Sequence, residues 1–148
     1  MRYLTNNFTL PELTHTEVRK YDNTPPDAII PNIIRTANKL EEVRALLGSK
    51  PINVNSCYRS RAVNKAIGGS KTSKHMEGLA ADFTCQTYGS PLAIVEAIAK
   101  SDISFDQLIL EFFNPATGRG WVHIGLAAKN RKQILTINPH STFSGIHP

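Results

Sequence analysis

Apolar residues at helical spacing predict the helices of this chain. The clearest run extends from about Ala28 to Leu47, where apolar side chains recur every three or four positions, and Gly48 follows as a stop signal. Two shorter helices are predicted, one at about residues 60–67 and one, opening with a Ser-Pro pair, at about residues 90–101. These segments supply the helical layer of the expected fold.

Apolar runs with a period of two predict the strands. Five segments have this pattern: PINVNSCY (51–58), LAADFTC (79–85), FDQLILEFF (105–113), GWVHIGL (120–126) and QILTI (133–137). The third and fourth segments are joined by NPATGR, which is typical of a hairpin connection. Together with the helices they predict an α+β fold, in which a small antiparallel sheet has the helices packed on one face.

The two ends of the chain have less pattern. Residues 1–25 are predicted to form an N-terminal arm, in which Thr9 can cap a short helix with Pro11 in its first turn. Residues 138–148 are predicted to form a loose tail. Since no repeat or linker interrupts the chain, we expect a single domain over residues 1–148. We expect cytoplasmic synthesis without a signal peptide and without membrane insertion, because no basic-then-apolar leader and no span-length apolar stretch is present.

The charge of the chain favours an anionic partner. The formal net charge is +5 and the pI is near 9.4, which suits nucleic acid or an anionic surface such as a cell wall. The basic residues are scattered, and they lack the interleaved aromatic residues that single-strand binders use. We therefore predict that nucleic acid is not the partner.

The two cysteines, Cys57 and Cys85, do not form a CxxC pair. Each lies in an apolar stretch that is predicted to be a strand. We expect two buried, reduced thiols rather than a disulfide or a structural metal site.

Two histidines and one aspartate form the main candidate for chemistry. His75 and Asp82 are seven positions apart with Gly78 between them, which favours a loop histidine followed by an aspartate on the next strand. The alternation in GWVHIGL turns His123 away from the core. Two imidazoles and one carboxylate can hold a zinc ion through three protein ligands and leave a fourth position for water, as catalytic zinc sites do.

Glu111 is the candidate general base. The alternation in DQLILEFF assigns Leu108, Leu110 and Phe112 to the core, which places Glu111 on the same face as His123. A hairpin centred near Thr117 would make Glu111 and His123 direct cross-strand partners. A carboxylate beside an open zinc site can take a proton from water, although it can also act by orienting the histidine.

Two further residues are candidate substrate contacts. Arg59 follows a strand end, and its guanidinium can bind a peptide carboxylate through two hydrogen bonds. Trp121 lies on the predicted ligand face, where it can pack or contact substrate. A non-haem iron oxygenase is a rival interpretation, since its metal also has two histidines and a carboxylate. That triad usually has the first histidine and the carboxylate close together on one strand, and here seven positions separate them.

These residues stand in a recognisable pattern. The run SCYRSRAVNKAIGGSKTSKHMEGLAADF, followed by GWVHIGL, resembles the M15 zinc peptidases, a group of D-alanyl-D-alanine carboxypeptidases and phage endolysins that cut peptidoglycan stem peptides. The family pattern SxHxxGxAxD with a distant histidine is complete here, in Ser73, His75, Gly78, Ala80, Asp82 and His123. The likeness extends over about residues 6–126 and matches the compact branch of the family.

The resemblance implies a hedgehog/D-Ala-D-Ala peptidase-like fold and one zinc ion on His75, Asp82 and His123, with Arg59 and Ser73 near the substrate. It implies a hydrolase of D-Ala-D-Ala or L-Ala-D-Glu bonds. A basic, single-domain chain without a signal peptide suits a phage or prophage lytic enzyme that acts on the cell wall after release, and we expect a monomer. Several members place the acidic base three residues before the last histidine, where this chain has Gly120, so Glu111 is the candidate instead. A zinc-containing wall-binding module without turnover is the alternative.

Overall fold

The computed structural model describes residues 2–148, and within them the chain forms four α-helices and six strands. The helices are α1 (Leu10–Leu13), α2 (Ile30–Leu46), α3 (Arg61–Ala66) and α4 (Pro91–Ala99). The strands are β1 (Asn53–Ser56), β2 (Ala80–Thr84), β3 (Gln107–Asn114), β4 (Arg119–Gly125), β5 (Gln133–Asn138) and β6 (Ser141–Ser144). Single 3-10 turns lie at Asp27–Ile29 and Lys74–Glu77. No helix within residues 2–148 is both long and apolar enough to cross a membrane.

The helices begin and end where the sequence carries the matching signals. The hydroxyl of Thr9 and the carboxylate of Glu12 form a capping box at α1, and serine side chains cap α3 and α4. The long helix α2 is followed by Gly48, which adopts a φ of 78°. The apolar face of α2 is fully buried, as its periodicity predicts, at Ile33, Ala37, Leu40 and Val43.

The six strands form one sheet in the order β1-β2-β4-β3-β5-β6. All neighbouring pairs are antiparallel except β3 and β5, which are parallel. The α+β prediction is confirmed, with this one parallel pair as the difference. Because β2 and β3 already occupy both edges of β4, strand β5 has to pair with the free edge of β3, and its direction opposite to β4 makes it parallel to β3.

The two faces of the sheet have different roles. One face joins α2 and α4 in the core through Ala81, Phe83, Leu108, Leu110, Val122 and Ile124. The opposite face carries Asp82, Ile109, Glu111 and His123, since side chains alternate along each strand. The predicted division between core face and ligand face is therefore confirmed for these strands.

The prediction that Phe112 lies on the core face is wrong. A β-bulge between Glu111 and Asn114 interrupts the pairing of β3 with β4. In this bulge Phe112 has a φ of 51° and is 39% exposed, while Phe113 packs against the core in its place.

The tail that was expected to be loose contains strand β6. It pairs with β5, and beyond it the N–H of Gly145 donates to the carbonyl of Ile134 at 2.8 Å. The sequence of β6, STFS, has no apolar alternation to predict it. It forms because β5 would otherwise present a row of unpaired backbone groups at the edge of the sheet.

The two cysteines behave as the sequence predicts. Cys57 and Cys85 are both free and fully buried.

Candidate metal centre

His75, Asp82 and His123 converge on one point of the molecule. Each offers a ligand atom, and these atoms all lie within 4.8 Å of one another. Asp82 on β2 and His123 on β4 are direct cross-strand partners, which brings His123 Nδ1 within 2.9 Å of Asp82 Oδ1. His75 reaches the same carboxylate from the 3-10 turn, with its Nε2 atom 3.3 Å from Asp82 Oδ2. The structure thus brings together all three predicted ligands.

The orientation of His75 is set by its surroundings. Its side chain is only 3% exposed, and its Nδ1 atom lies 2.7 Å from the carbonyl oxygen of Cys57. Because a carbonyl can only accept, Nδ1 carries the proton and Nε2 is free to ligate a metal. The hydroxyl of Ser73 accepts the backbone N–H of His75 at 3.2 Å and so caps this turn.

Gly78 ends the turn that holds His75. Its φ is 72°, and a Cβ atom there would lie 2.7 Å from Cγ1 of Ile33 on α2. Its carbonyl accepts the hydroxyl of Thr36, also on α2, at 2.6 Å. Only glycine suits both the backbone conformation and the close approach of the helix. The turn with His75 is thereby fixed to the core.

The donor set fits a zinc ion. Two imidazole nitrogens and one carboxylate oxygen are ligands that zinc prefers, and tetrahedral ligands at about 2.0–2.1 Å from an ion lie roughly 3.3 Å from one another. His75 Nε2 and His123 Nδ1 lie 3.3 Å and 2.9 Å from the two different oxygens of the Asp82 carboxylate, and the three residues offer ligand atoms within 4.8 Å of one another. Burial, reinforced by the charge of Asp82, raises the pKa of the Cys57 thiol to about 12.

The charges of the three residues are coupled. Burial disfavours the ionised form of Asp82, but the neighbouring imidazoles outweigh it and hold the pKa of this carboxyl well below its usual range. Burial likewise disfavours protonated His123, yet its hydrogen bond to Asp82 and the nearby negative charges raise its pKa overall. The centre is therefore built around a carboxylate that stays ionised, which attracts a cation.

Arg59 contacts the metal centre directly. Its guanidinium donates to Ser56 Oγ at 3.0 Å, to Asn64 Oδ1 at 3.1 Å and to Asp82 Oδ2 at 3.2 Å. These bonds use three of its five N–H groups and leave two. The sequence predicts Arg59 only as a substrate contact, whereas here it also binds Asp82. Asn64 of α3 is 3% exposed, and no local sequence pattern distinguishes it from an ordinary polar helix residue.

Glu111 lies beside His123 on the ligand face. Its cross-strand partner is Trp121, and the partner of His123 is Ile109, so the predicted direct pairing of Glu111 with His123 is wrong by two residues. The shared face is as predicted, and the diagonal relation leaves Glu111 Oε1 3.6 Å from His123 Nδ1. Burial, with the charge of Asp82 as a second cause, raises the pKa of Glu111 to about 7.

Gly120 explains why the acidic residue is on β3. Its φ is 120°, and a Cβ atom there would lie 2.7 Å from the carbonyl oxygen of Glu111 and 2.7 Å from Cα of Phe113. The bulge of β3 occupies the space that a side chain at position 120 would need. A carboxylate three residues before His123 is thus incompatible with this hairpin.

Trp121 stands directly opposite Glu111 on β4. Its ring packs against Phe112, with 5.1 Å between the ring centroids. Its buried indole N–H has no hydrogen-bond partner within residues 2–148. The side chain of Trp121 therefore lies beside the metal centre and packs against Phe112, which is one of the two roles that the sequence suggests for it.

Comparisons with known proteins agree with this geometry. Residues 6–125 match the profile of the family described as peptidase M15, and the chain belongs to this family. His75, Asp82 and His123 lie within the matched residues and form a group that could hold a metal ion. A segment of 58 residues is 41% identical to the zinc D-Ala-D-Ala carboxypeptidase of Streptomyces albus G. This segment covers 39% of the present chain and 23% of that protein.

Proposed function

We propose that this protein is a zinc metallopeptidase that hydrolyses peptide bonds in peptidoglycan stem peptides. The observation that carries the proposal is the convergence of His75, Asp82 and His123, with Glu111 Oε1 3.6 Å from one of the imidazoles. Membership of the peptidase M15 family and the likeness to a carboxypeptidase from Streptomyces albus G support it.

Glu111 is the proposed general base and acid. A zinc ion on the three ligands supplies a Lewis acid that polarises a scissile carbonyl and makes a coordinated water more acidic. Glu111 Oε1 lies 3.6 Å from His123 Nδ1, close enough to the proposed metal site to accept a proton and return it to the leaving amine. Without a metal, burial raises the pKa of Glu111 to about 7, whereas a zinc ion beside it favours the ionised carboxylate that accepts the proton.

Three residues near the metal centre are the proposed substrate contacts. Arg59 orients Asp82 and offers its two unused N–H groups to a substrate oxygen. Ser73 caps the turn of His75 and lies at the rim of the centre, where its hydroxyl can also donate to substrate. Trp121 presents its ring beside Glu111 as an apolar wall for the peptide.

The proposed substrate bonds are D-Ala-D-Ala, cut by a carboxypeptidase, or L-Ala-D-Glu, cut by an endopeptidase. We further propose a monomeric phage or prophage lytic enzyme that reaches the cell wall after its release. The net charge of +5 supports this setting, since it attracts the protein to an anionic wall. Lysis of permeabilised bacteria by the purified protein tests the setting, and intact walls after prolonged incubation would exclude it.

Digestion of purified peptidoglycan tests the activity and identifies the bond. The protein is incubated with zinc or with a chelator, and new termini are identified by mass spectrometry. We expect new termini only with zinc, and their loss in Glu111→Gln protein that still holds one zinc per chain. If the wild type and the Glu111→Gln variant both bind walls and neither forms new termini, the protein is instead a wall-binding module.

A further inference from the structure

A cleft adjoins the metal centre and is not used by the chemistry described above. It has a volume of about 840 Å³ and is lined by Ser73, Met76, Gln107, Arg61, Lys71 and other residues; we call it the side cleft. Ser73 links it to the centre, because its hydroxyl accepts the backbone N–H of His75. Gln107 is the second such residue, since its cross-strand partner Gly125 lies two positions after His123 on β4.

The side cleft contains cations that lack partners. Its lining lysine Lys74 pairs with Glu77 at 3.2 Å, and Arg131 pairs with Asp106 at 2.8 Å. These pairs occupy both lining carboxylates. The side chains of Arg61 and Lys71 form no hydrogen bond or ion pair within residues 2–148, and both are exposed. Both also line an adjoining cavity of about 490 Å³, so they stand where the two spaces meet.

The wall that carries Lys71 is fixed to the metal centre. The amide of Asn64 accepts from Arg59 at 3.1 Å and donates to the carbonyl oxygen of Ser70 at 2.9 Å. Arg59 in turn holds Asp82. These hydrogen bonds connect Asp82, a candidate metal ligand, to Ser70, the residue before Lys71. The backbone that carries Lys71 is therefore held in place before a ligand binds.

We propose that the side cleft is the subsite for a free carboxylate of the substrate peptide, bound by Arg61 and Lys71. The proposal rests on the peptidase function proposed above. A peptide with its scissile carbonyl at the metal centre extends by about 3.3 Å per residue, so a residue near the cleaved bond can reach a cleft that begins at Ser73, beside His75. A guanidinium and an ammonium without other partners are suited to a carboxylate, whereas most of the donors of Arg59 are already used.

Binding of three synthetic peptides tests the subsite. The parent peptide is L-Ala-γ-D-Glu-L-Lys-D-Ala-D-Ala; one derivative has the glutamate α-carboxylate converted to an amide, and the other has the C-terminal carboxylate converted to an amide. Calorimetry is carried out on zinc-loaded Glu111→Gln protein, so that no cleavage is needed. We expect one of the two amides to bind about tenfold more weakly than the parent peptide.

Variants then assign the effect to the two cations. In the same background, Arg61→Gln combined with Lys71→Gln should weaken parent binding by about tenfold and abolish the preference over the sensitive amide. Lys50→Gln, at an exposed lysine that does not line the side cleft, should leave both quantities unchanged.

Several results would overturn the subsite. These are unchanged affinity in the double variant, equal binding of all three peptides to the parent protein, or no measurable binding of the parent peptide. If the peptides bind as expected but the wild type cuts none of them, the peptidase function fails and the subsite stands.

Discussion

The buried carboxyl of Glu111 makes the stability of the metal-free protein depend on pH. Its side chain is 18% exposed, and burial raises its pKa from 4.5 to about 7. The unfolded chain releases this proton near the ordinary value, whereas the folded protein retains it to about neutral pH. Deprotonation therefore favours unfolding, and the free energy of unfolding falls as the pH rises through this window.

The size of the effect follows from the two pKa values. A difference of about 2.5 between them corresponds to about 3 kcal/mol of stability. This contribution is fully present below the ordinary pKa and is lost as the pH rises past about 7. Glutamine at position 111 has nearly the same shape and no charge. The Glu111→Gln variant should thus match the wild type near pH 4 and exceed it by about 3 kcal/mol near pH 9.

Urea denaturation of chelator-treated protein measures this difference at both pH values. Glu17→Gln, at an exposed carboxylate of the N-terminal arm, is the control and should change stability by only a few tenths of a kcal/mol at either pH. Zinc should shrink the advantage of Glu111→Gln, because a nearby dication favours the ionised carboxylate. An advantage that stays constant between the two pH values would refute the buried, high-pKa carboxylate.

Three further predictions concern the hairpin, one ion pair and the metal. Gly120→Ala should destabilise the protein by about 3 kcal/mol, because the added Cβ atom would meet the backbone of the bulge. Gly118 also has a positive φ but has open space around it, so Gly118→Ala should destabilise the protein by only about 1 kcal/mol. Equal losses of stability in urea denaturation would contradict this. Arg131→Ala removes the side-chain hydrogen bonds that most strongly lower the pKa of Asp106, so it should destabilise the protein near neutral pH but not in acid well below the ordinary pKa of Asp106. A loss of stability that persists in acid would exclude the pairing. Zinc at about 100 times its dissociation constant should add about 2.7 kcal/mol to the free energy of unfolding and raise the Tm by about 5–10 °C. An unchanged Tm in calorimetry would count against a metal site in the folded protein.

The faces of the strands could be predicted because they depend only on alternation. The period of two in LAADFTC and GWVHIGL places Asp82 and His123 opposite the core whatever the register of the strands. For the same reason Glu111 was assigned correctly to the ligand face. The strand order makes β2 and β4 neighbours, and the register of this pair makes Asp82 and His123 cross-strand partners.

The register of the hairpin could not be predicted in this way. It depends on the bulge at Phe112 and on the positive φ of Gly120, and a glycine next to a turn-like NPATGR segment does not reveal which of these it supports. A hairpin without this bulge would pair Glu111 with His123, whereas its cross-strand partner is Trp121. It also placed Phe112 in the core, which Phe113 in fact contacts.

The contacts behind the metal ligands depend on tertiary structure. Arg59 and Asn64 lie on a connection and a short helix, and only folding brings them to Asp82 and to the loop at Ser70. Strand β6 was missed for a related reason. Its residues carry no pattern of their own, and the free edge of β5 determines their conformation.

Zinc-edge X-ray absorption of the protein with one equivalent of zinc tests the central claim most directly. His75, Asp82 and His123 predict a first shell of nitrogen and oxygen at about 2.0–2.1 Å, with the outer-shell signature of two imidazoles and no sulfur. A sulfur contribution at about 2.3 Å, or a shell without imidazole, would show that these three side chains do not hold the ion.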